Sequence, residues 1–277
     1  MNALNAKLTA AMQWLLAPFA GWPPILTLVA WSAVAGVLMA IVFRYTSNQR
    51  ALGRTADYSR AQVLAIKLFK DDLRTMFASI GQLLRYTGLR LWHSLAPMLV
   101  MLVPFVLLLS QLALRYEHRP LAVGQPAVVE LRLAEDAWQQ FRDAAIQTQG
   151  QIAVETGPLR DEREHAIYWR IRPKQAAAAT VGWRLGSLPV EKQIAVENAR
   201  TRLPLVSVRR PGAGWWDRLL HPGEAGFAAG SPVRAVVVHH PSRATPLLGV
   251  DVPWWATFLI VSILAAVLVR PLVGVRF

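Results

Sequence analysis

The chain has 277 residues, 54% of them hydrophobic, and a mean hydropathy of +0.31. It contains no cysteine, which excludes a disulfide scaffold, thiolate catalysis and cysteine-ligated zinc. The formal net charge of +13 would indicate a nucleic-acid partner in a soluble protein, but much of that charge lies beside long apolar runs, where it acts as a topology signal.

The N-terminal segment, residues 1–24, is predicted to contain an amphipathic helix over residues 2–19. The run Gly21-Trp22-Pro23-Pro24 should end it. We expect this helix to form a separate element that lies along the membrane interface.

The first apolar run, residues 25–43, has the length and composition of a membrane-spanning helix. Ala33-Val34-Ala35 fits a signal-peptidase site, but the apolar run continues for eight residues beyond it, so an uncleaved anchor is predicted. Small residues at four-residue spacing predict a helix-packing face on this span, made by Ser32, Gly36 and Ala40.

Residues 44–90 form a basic segment with nine Lys and Arg against three Asp. Ser59-x-x-Gln62 is a possible capping box, and apolar residues at helical spacing behind it predict an amphipathic helix up to Gly88, with a possible break near Gly81. Its basic face carries Lys67, Lys70 and Arg74, with Asp71 and Asp72 as their charge partners. This helix either lies on the membrane surface or docks a partner or client segment.

The second span is predicted over residues 91–114, which contain no Lys, Arg, Asp or Glu. His93, Pro97, Pro104 and Gln111 are spaced by 4, 7 and 7 residues and therefore share one helix face. Polar groups and prolines on a membrane span need protein or water partners. The face is interpreted either as a helix-packing contact or as a functional surface opening into a groove within the membrane.

Residues 115–251 form a β-rich domain. Apolar residues alternate with polar ones over residues 129–133, 169–172, 194–197, 206–208 and 236–238. Turn formers separate these runs at Gly124-Gln125-Pro126, Gly157-Pro158, Gly186-Ser187, Pro211-Gly212 and Gly230-Ser231-Pro232. The pattern predicts a β-sandwich, with a helical insertion over residues 134–149. Residues 121–198 resemble an immunoglobulin-like domain in architecture, with an entry at Gly124-Gln125-Pro126, a strand carrying Trp169 and a closing strand over Val190–Val196.

Two tryptophan pairs are predicted to contact the outer leaflet. Trp215 and Trp216 precede two leucines, and they either face lipid or plug the core of the sandwich. Trp254 and Trp255 begin the third span, residues 252–270, on which Ser262 and Ala266 extend the predicted packing face. Residues 271–277 form a short tail.

The basic charges predict the orientation of the chain. Residues 44–90 carry a net charge of +6, and the C-terminal end holds Arg270 and Arg276 with no acidic residue, so both are expected in the cytoplasm. The N-terminus and residues 115–251 would then be extracytoplasmic, in a multi-pass protein of the cell's inner membrane. The fold class predicted is a three-span membrane protein with a cytoplasmic amphipathic helix and an extracytoplasmic β-sandwich-like domain.

No sequence motif for catalysis is present: the chain has no P-loop, dinucleotide-binding glycines, zinc-protease helix or nucleophile elbow. His239 and His240 are adjacent, and neighbours on a strand point to opposite faces, so they are not expected to share a metal. We therefore predict no enzyme activity, no catalytic residue, no metal and no cofactor.

The order of the helical segments resembles the Oxa1/YidC/EMC3 superfamily of membrane-protein insertases. The similarity covers the first span, the Ser59–Gly88 helix, the stretch from Ala96-Pro97-Met98 through Pro104-Phe105 to Tyr116, and the third span. It implies a hydrophilic groove and client membrane proteins as partners, beside the lipid bilayer. The alternative is a non-catalytic accessory subunit that binds one partner through its β-domain. Neither interpretation involves nucleic acid.

Overall fold

The computed structural model describes residues 2–19, 21–68, 72–198, 202–247 and 249–274. Four helices precede the β-rich region: α1 (Asn2–Leu16), α2 (Pro24–Thr46), α3 (Gln49–Leu68) and α4 (Leu73–Tyr116). A last long helix, α7 (Trp254–Val273), follows that region. Lys70 and Asp71, two residues of the predicted basic helix, lie outside the described residues.

Three of the described helices are long and apolar enough to cross a membrane: Pro24–Thr46, the Pro97–Tyr116 part of α4, and Trp254–Val273. The prediction of three such helices is confirmed. The second of these segments lies inside the continuous helix α4, which also covers the predicted span over residues 91–114. The proline at residue 24 occupies the first turn of α2, where its missing N–H costs no helical hydrogen bond.

The predicted start of the basic helix is wrong. Helix α3 begins at Gln49, and the Ser59 hydroxyl donates to the Thr55 carbonyl at 2.9 Å, as a serine does inside a helix. Gly81 lies within α4, which continues through it. The Asp72 carboxylate accepts hydrogen bonds from the Arg74 amide (3.0 Å) and the Thr75 hydroxyl (2.6 Å), so it caps the start of α4.

The β-rich region contains two larger antiparallel sheets. The first has five strands in the order β3 (Ile152–Asp161), β4 (Ala166–Pro173), β1 (Ala127–Leu133), β8 (Val233–Val238) and β7 (Arg209–Arg210). The second has the order β2 (Ile146–Thr148), β5 (Ala179–Leu185) and β6 (Leu188–Ile194). A short hairpin, β9 (Pro246–Leu247) and β10 (Val250–Asp251), and the helices α5 (Glu135–Phe141) and α6 (Trp215–Leu220) complete it.

Residues from both sheets share one hydrophobic core. Alternate residues of β1 and β4 are buried, and the Trp169 ring on β4 lies 5.6 Å from the Trp183 ring on β5. The two-residue turn at Gly186-Ser187 joins β5 to β6, and Gly186 has a positive φ of 62° that suits glycine. The mixed helical and antiparallel-sheet composition agrees with the predicted α and β content.

Three details of the β prediction are wrong. Gly157-Pro158 lies inside β3, where the pairing with β4 shifts register instead of turning. The segment 134–149 is helical only over α5 and then pairs as β2. Residues 206–208 precede the short strand β7 and belong to no described strand, although the Val208 carbonyl accepts from the Val238 amide at 2.8 Å.

The described chain divides into two compact units. One consists of Met1–Leu28 and Leu107–Trp254, and contains α1 with the β-rich region. The other consists of Val29–Val106 and Trp255–Phe277, and contains most of the three apolar helices together with α3. Within the first unit α1 contacts the β-rich region: the Asn5 side chain donates to the Arg218 carbonyl of α6 at 2.7 Å, and Met12 and Leu16 are buried.

Candidate functional site

The apolar helices α2 and α7 touch at Gly36. A Cβ atom added to Gly36 would stand 2.1 Å from the carbonyl oxygen of Ser262, so the backbones meet with no room for a side chain. Ser32 and Ala40, four residues to either side on α2, are both buried. Residues without bulky side chains are what allow two membrane helices to approach this closely.

Beside this contact the three helices surround a crevice of about 310 Å³. Helix α4 contributes Met98, Met101, Leu102 and Phe105, which recur at 3, 4 and 7 residues and so form one face. Helices α2 and α7 contribute the remaining lining residues, which are Ala35, Gly36, Met39, Ala40, Phe43, Phe258, Leu259, Ser262, Ile263 and Ala266. The Phe105 and Phe258 rings, 6.1 Å apart, both belong to this lining.

The crevice is lined by apolar side chains, several of which are small and three of which are flexible methionines. Among the described lining residues only Ser262 has a polar side chain, and its hydroxyl donates to the Leu259 carbonyl of its own helix at 3.0 Å. Three of the chain's six methionines line it, and methionine adapts its shape to irregular partners. Contacts inside this crevice would therefore be made mainly through shape and dispersion forces.

Four of the five residues predicted as a helix-packing face line this crevice: Gly36, Ala40, Ser262 and Ala266. The predicted polar face on α4 does not. Pro97 is buried, Pro104 is exposed and His93 is half-buried, and none of the three lines the crevice. Gln111 belongs to the other unit, where its side-chain oxygen accepts a hydrogen bond from the Thr9 hydroxyl at 3.1 Å. All four residues lie on α4, and the interpretation of their face as a packing contact or a functional surface stays a prediction.

The other predicted surface residues are placed as follows. Lys67 lies in the last turn of α3 and Arg74 in the first turn of α4, so these two basic residues do not share one helix. Trp215 and Trp216 are stacked at 4.2 Å and are 59% and 55% exposed, which excludes the core-plug interpretation. Trp255 is also exposed, and Trp254 is half-buried.

Sequence reasoning missed a buried ion pair in the β-rich unit. The Lys192 ammonium, fully buried on β6, pairs with the Glu224 carboxylate and donates to the Ser207 carbonyl at 2.5 Å. Burial lowers the pKa of Lys192, and the adjacent Glu224 carboxylate opposes that shift. In the sequence, a lysine within an alternating strand is expected to be exposed. The burial of Lys192 is explained by its ion pair with Glu224, which lies 32 residues away in the chain.

His239 and His240 point into different environments. His239 is exposed at 3.4 Å from the Glu130 carboxylate, whereas His240 is buried and hydrogen-bonded to the Val238 carbonyl at 3.1 Å. Burial lowers the pKa of His240 to about 4. Within the described part of the chain no group of three or more His, Asp or Glu side chains is arranged to hold a metal ion.

Comparison with known proteins found no match for this chain among protein-family models, curated proteins or solved structures.

Proposed function

We propose that this protein is a membrane-embedded binding protein that holds an apolar segment of another membrane protein in the crevice between its three spans. The observation that carries the proposal is the methionine-lined crevice of about 310 Å³. That volume lies at the lower end of ligand pockets, and it accommodates a few side chains of a passing helix. The protein would then hold or insert client segments in the inner membrane, with its β-domain on the extracytoplasmic side.

The composition of the lining favours a helix over a lipid acyl chain as the occupant. Five lining residues are glycine, alanine or serine, and such residues let the backbone of a partner helix approach closely. An acyl chain needs no such approach. The apolar lining differs from the hydrophilic groove that the insertase resemblance implies, and it supports holding an apolar segment better than moving a polar one.

Filling the crevice tests this function. Ala266→Phe adds a ring to the lining, whereas Ala265→Phe makes the same change at the next residue, which does not line the crevice. We expect Ala266→Phe to reduce the membrane proteins that co-purify in mild detergent at least several-fold, with Ala265→Phe close to the unchanged protein. Equal recovery with both variants would contradict the proposal, provided both are expressed and inserted.

A second candidate function is that of an accessory subunit that binds one partner through the β-domain. Strand β3 lies at the edge of the five-stranded sheet, and its Leu159 side chain is 69% exposed. Leu159 borders a surface hollow of about 460 Å³ that also contains Val128 and Tyr168. Exposed apolar side chains at a sheet edge are typical of partner-binding surfaces.

Leu159→Asp tests this second candidate, with Val123→Asp as the control at another exposed apolar residue of the same unit. Loss of one stoichiometric partner with Leu159→Asp alone would favour the accessory role. If Leu159→Asp still binds that partner and Ala266→Phe does not, the crevice is favoured as the binding site.

A further inference from the structure

A second cavity, distinct from the crevice, lies between α3, α4 and the end of α7. It has a volume of about 670 Å³ and is lined by four basic side chains: Arg60 and Lys67 from α3, Arg90 from α4 and Arg270 from α7. One carboxylate, Asp57, also lines it and lies 3.6 Å from the Arg60 guanidinium. The described lining therefore carries a net charge of +3.

The walls of this cavity are held by contacts inside one unit. Tyr58 of α3 stacks on Tyr86 of α4, with ring centroids 5.0 Å apart. The Arg44 guanidinium at the end of α2 donates to the Val273 carbonyl near the end of α7. These contacts fix α3 and the helix ends around the cations, so the cluster is a defined concave site and not a row of charges along one helix.

The position of the cations points to the ligand. Arg270 follows the apolar part of α7, and Arg90 precedes the Pro97 start of the apolar part of α4, so both stand at the boundary of an apolar segment. Phosphates of lipid headgroups occupy this level of a bilayer, and basic pockets between spans bind them. Apolar lining residues beside the cations, Val63 and Leu64, suit the glycerol and upper acyl region.

We infer that this cavity binds the phosphate headgroup of an anionic phospholipid. Arginine guanidinium groups present paired N–H donors that match phosphate oxygens, and Lys67 adds a point charge. Free phosphate offers the same chemistry, but it would leave the Val63 and Leu64 walls in water. The inference rests on the proposed membrane insertion and is independent of what the crevice holds.

Native mass spectrometry of the full chain in mild detergent tests the inference. Dioleoyl phosphatidylglycerol is added, or dioleoyl phosphatidylcholine as the zwitterionic comparison, and one-lipid adducts are counted. Each cation near a lipid phosphate strengthens binding by about 5-fold, so Arg60→Gln with Lys67→Gln should weaken phosphatidylglycerol binding by about 25-fold. Arg74→Gln, an exposed cation outside the cavity, is the matched control and should change little.

Three results would overturn the inference: equal binding of the two lipids, an equal loss with Arg74→Gln, or complete displacement of phosphatidylglycerol by an excess of inorganic phosphate. The last would assign the site to a free phosphate. Flotation of the variants with vesicles reports membrane insertion separately, so failed insertion is distinguishable from a failed lipid site.

Discussion

His240 links the stability of the β-rich unit to pH. Its imidazole is buried and its pKa falls to about 4 in the folded protein, against an ordinary value of 6.5. The unfolded state therefore binds a proton at His240 more readily than the folded state does. The contribution of neutral His240 to the free energy of unfolding is complete above pH 6.5 and is lost as the pH falls from 6.5 to about 4. The loss should total roughly 3 kcal/mol.

Unfolding by denaturant in detergent, measured at pH 7.5 and pH 4.5 by tryptophan fluorescence, checks this prediction. We expect His240→Gln to lower the stability at pH 7.5 and to reduce its dependence on pH. His239→Gln, at the exposed neighbour, is the control and should keep the dependence of the unchanged protein. An unchanged pH dependence in His240→Gln would contradict the assignment.

Lys192 and Glu224 should contribute to stability as a unit. Removing one member of a buried pair leaves an uncompensated charge, so Glu224→Gln should cost about 3–5 kcal/mol of unfolding free energy. The double change Lys192→Met with Glu224→Leu should cost less than Glu224→Gln alone, because no charge stays buried. Arg160→Gln, which breaks the more exposed pair with Asp143, should cost less than about 1 kcal/mol. A Glu224→Gln cost as small as that of Arg160→Gln would show that water reaches the pair.

At the scale of elements, the contact of α2 with α7 depends on Gly36. Gly36→Ala places a methyl group 2.1 Å from the Ser262 oxygen, so the helices must separate, at a cost of about 1–3 kcal/mol. Gly81→Ala is the matched control, since nothing lies within 4 Å of the added carbon and alanine favours helix. Thermal unfolding in detergent should show a lower midpoint for Gly36→Ala only. Equal midpoints would mean that the helices do not meet at Gly36.

The elements themselves could be predicted wherever one strong period dominated the sequence. The apolar helices and the alternating strands β1 and β4 are such cases. Local signals failed where tertiary pairing decided the structure: Gly157-Pro158 has turn chemistry, but β4 pairs with residues on both sides of it. Ser59-x-x-Gln62 has the spacing of a cap, but α3 already begins at Gln49.

Only part of the candidate site could be predicted. The small residues of α2 and α7 were identifiable from their spacing, and they do line the crevice. The inward face of the apolar part of α4 was not, because a segment that is almost wholly apolar carries no stripe that shows which side packs inward. Met98 and Met101 resemble ordinary span residues in the sequence, whereas the more unusual prolines drew attention to a face that does not line the crevice.

At the scale of the whole molecule, the basic segment predicts the topology. Alkaline phosphatase is active only outside the cytoplasm, so in a bacterial host a fusion after Gly186 should be active and a fusion after Tyr58 should be inactive. Reversing two of the basic charges with Arg44→Glu and Arg54→Glu should reduce the difference in activity between the two fusions. The reverse activity pattern in the unchanged protein would place residues 44–90 outside and overturn the orientation.

The proposed role in binding membrane segments is tested most directly by photo-crosslinking in intact membranes. A photoreactive residue at Met101 faces the crevice, and one at Pro104, three residues away on the same helix, is exposed and outside it. We predict that Met101 captures apolar segments of other membrane proteins and that Pro104 captures mainly lipid. Capture of lipid alone from both positions would contradict a protein-binding crevice.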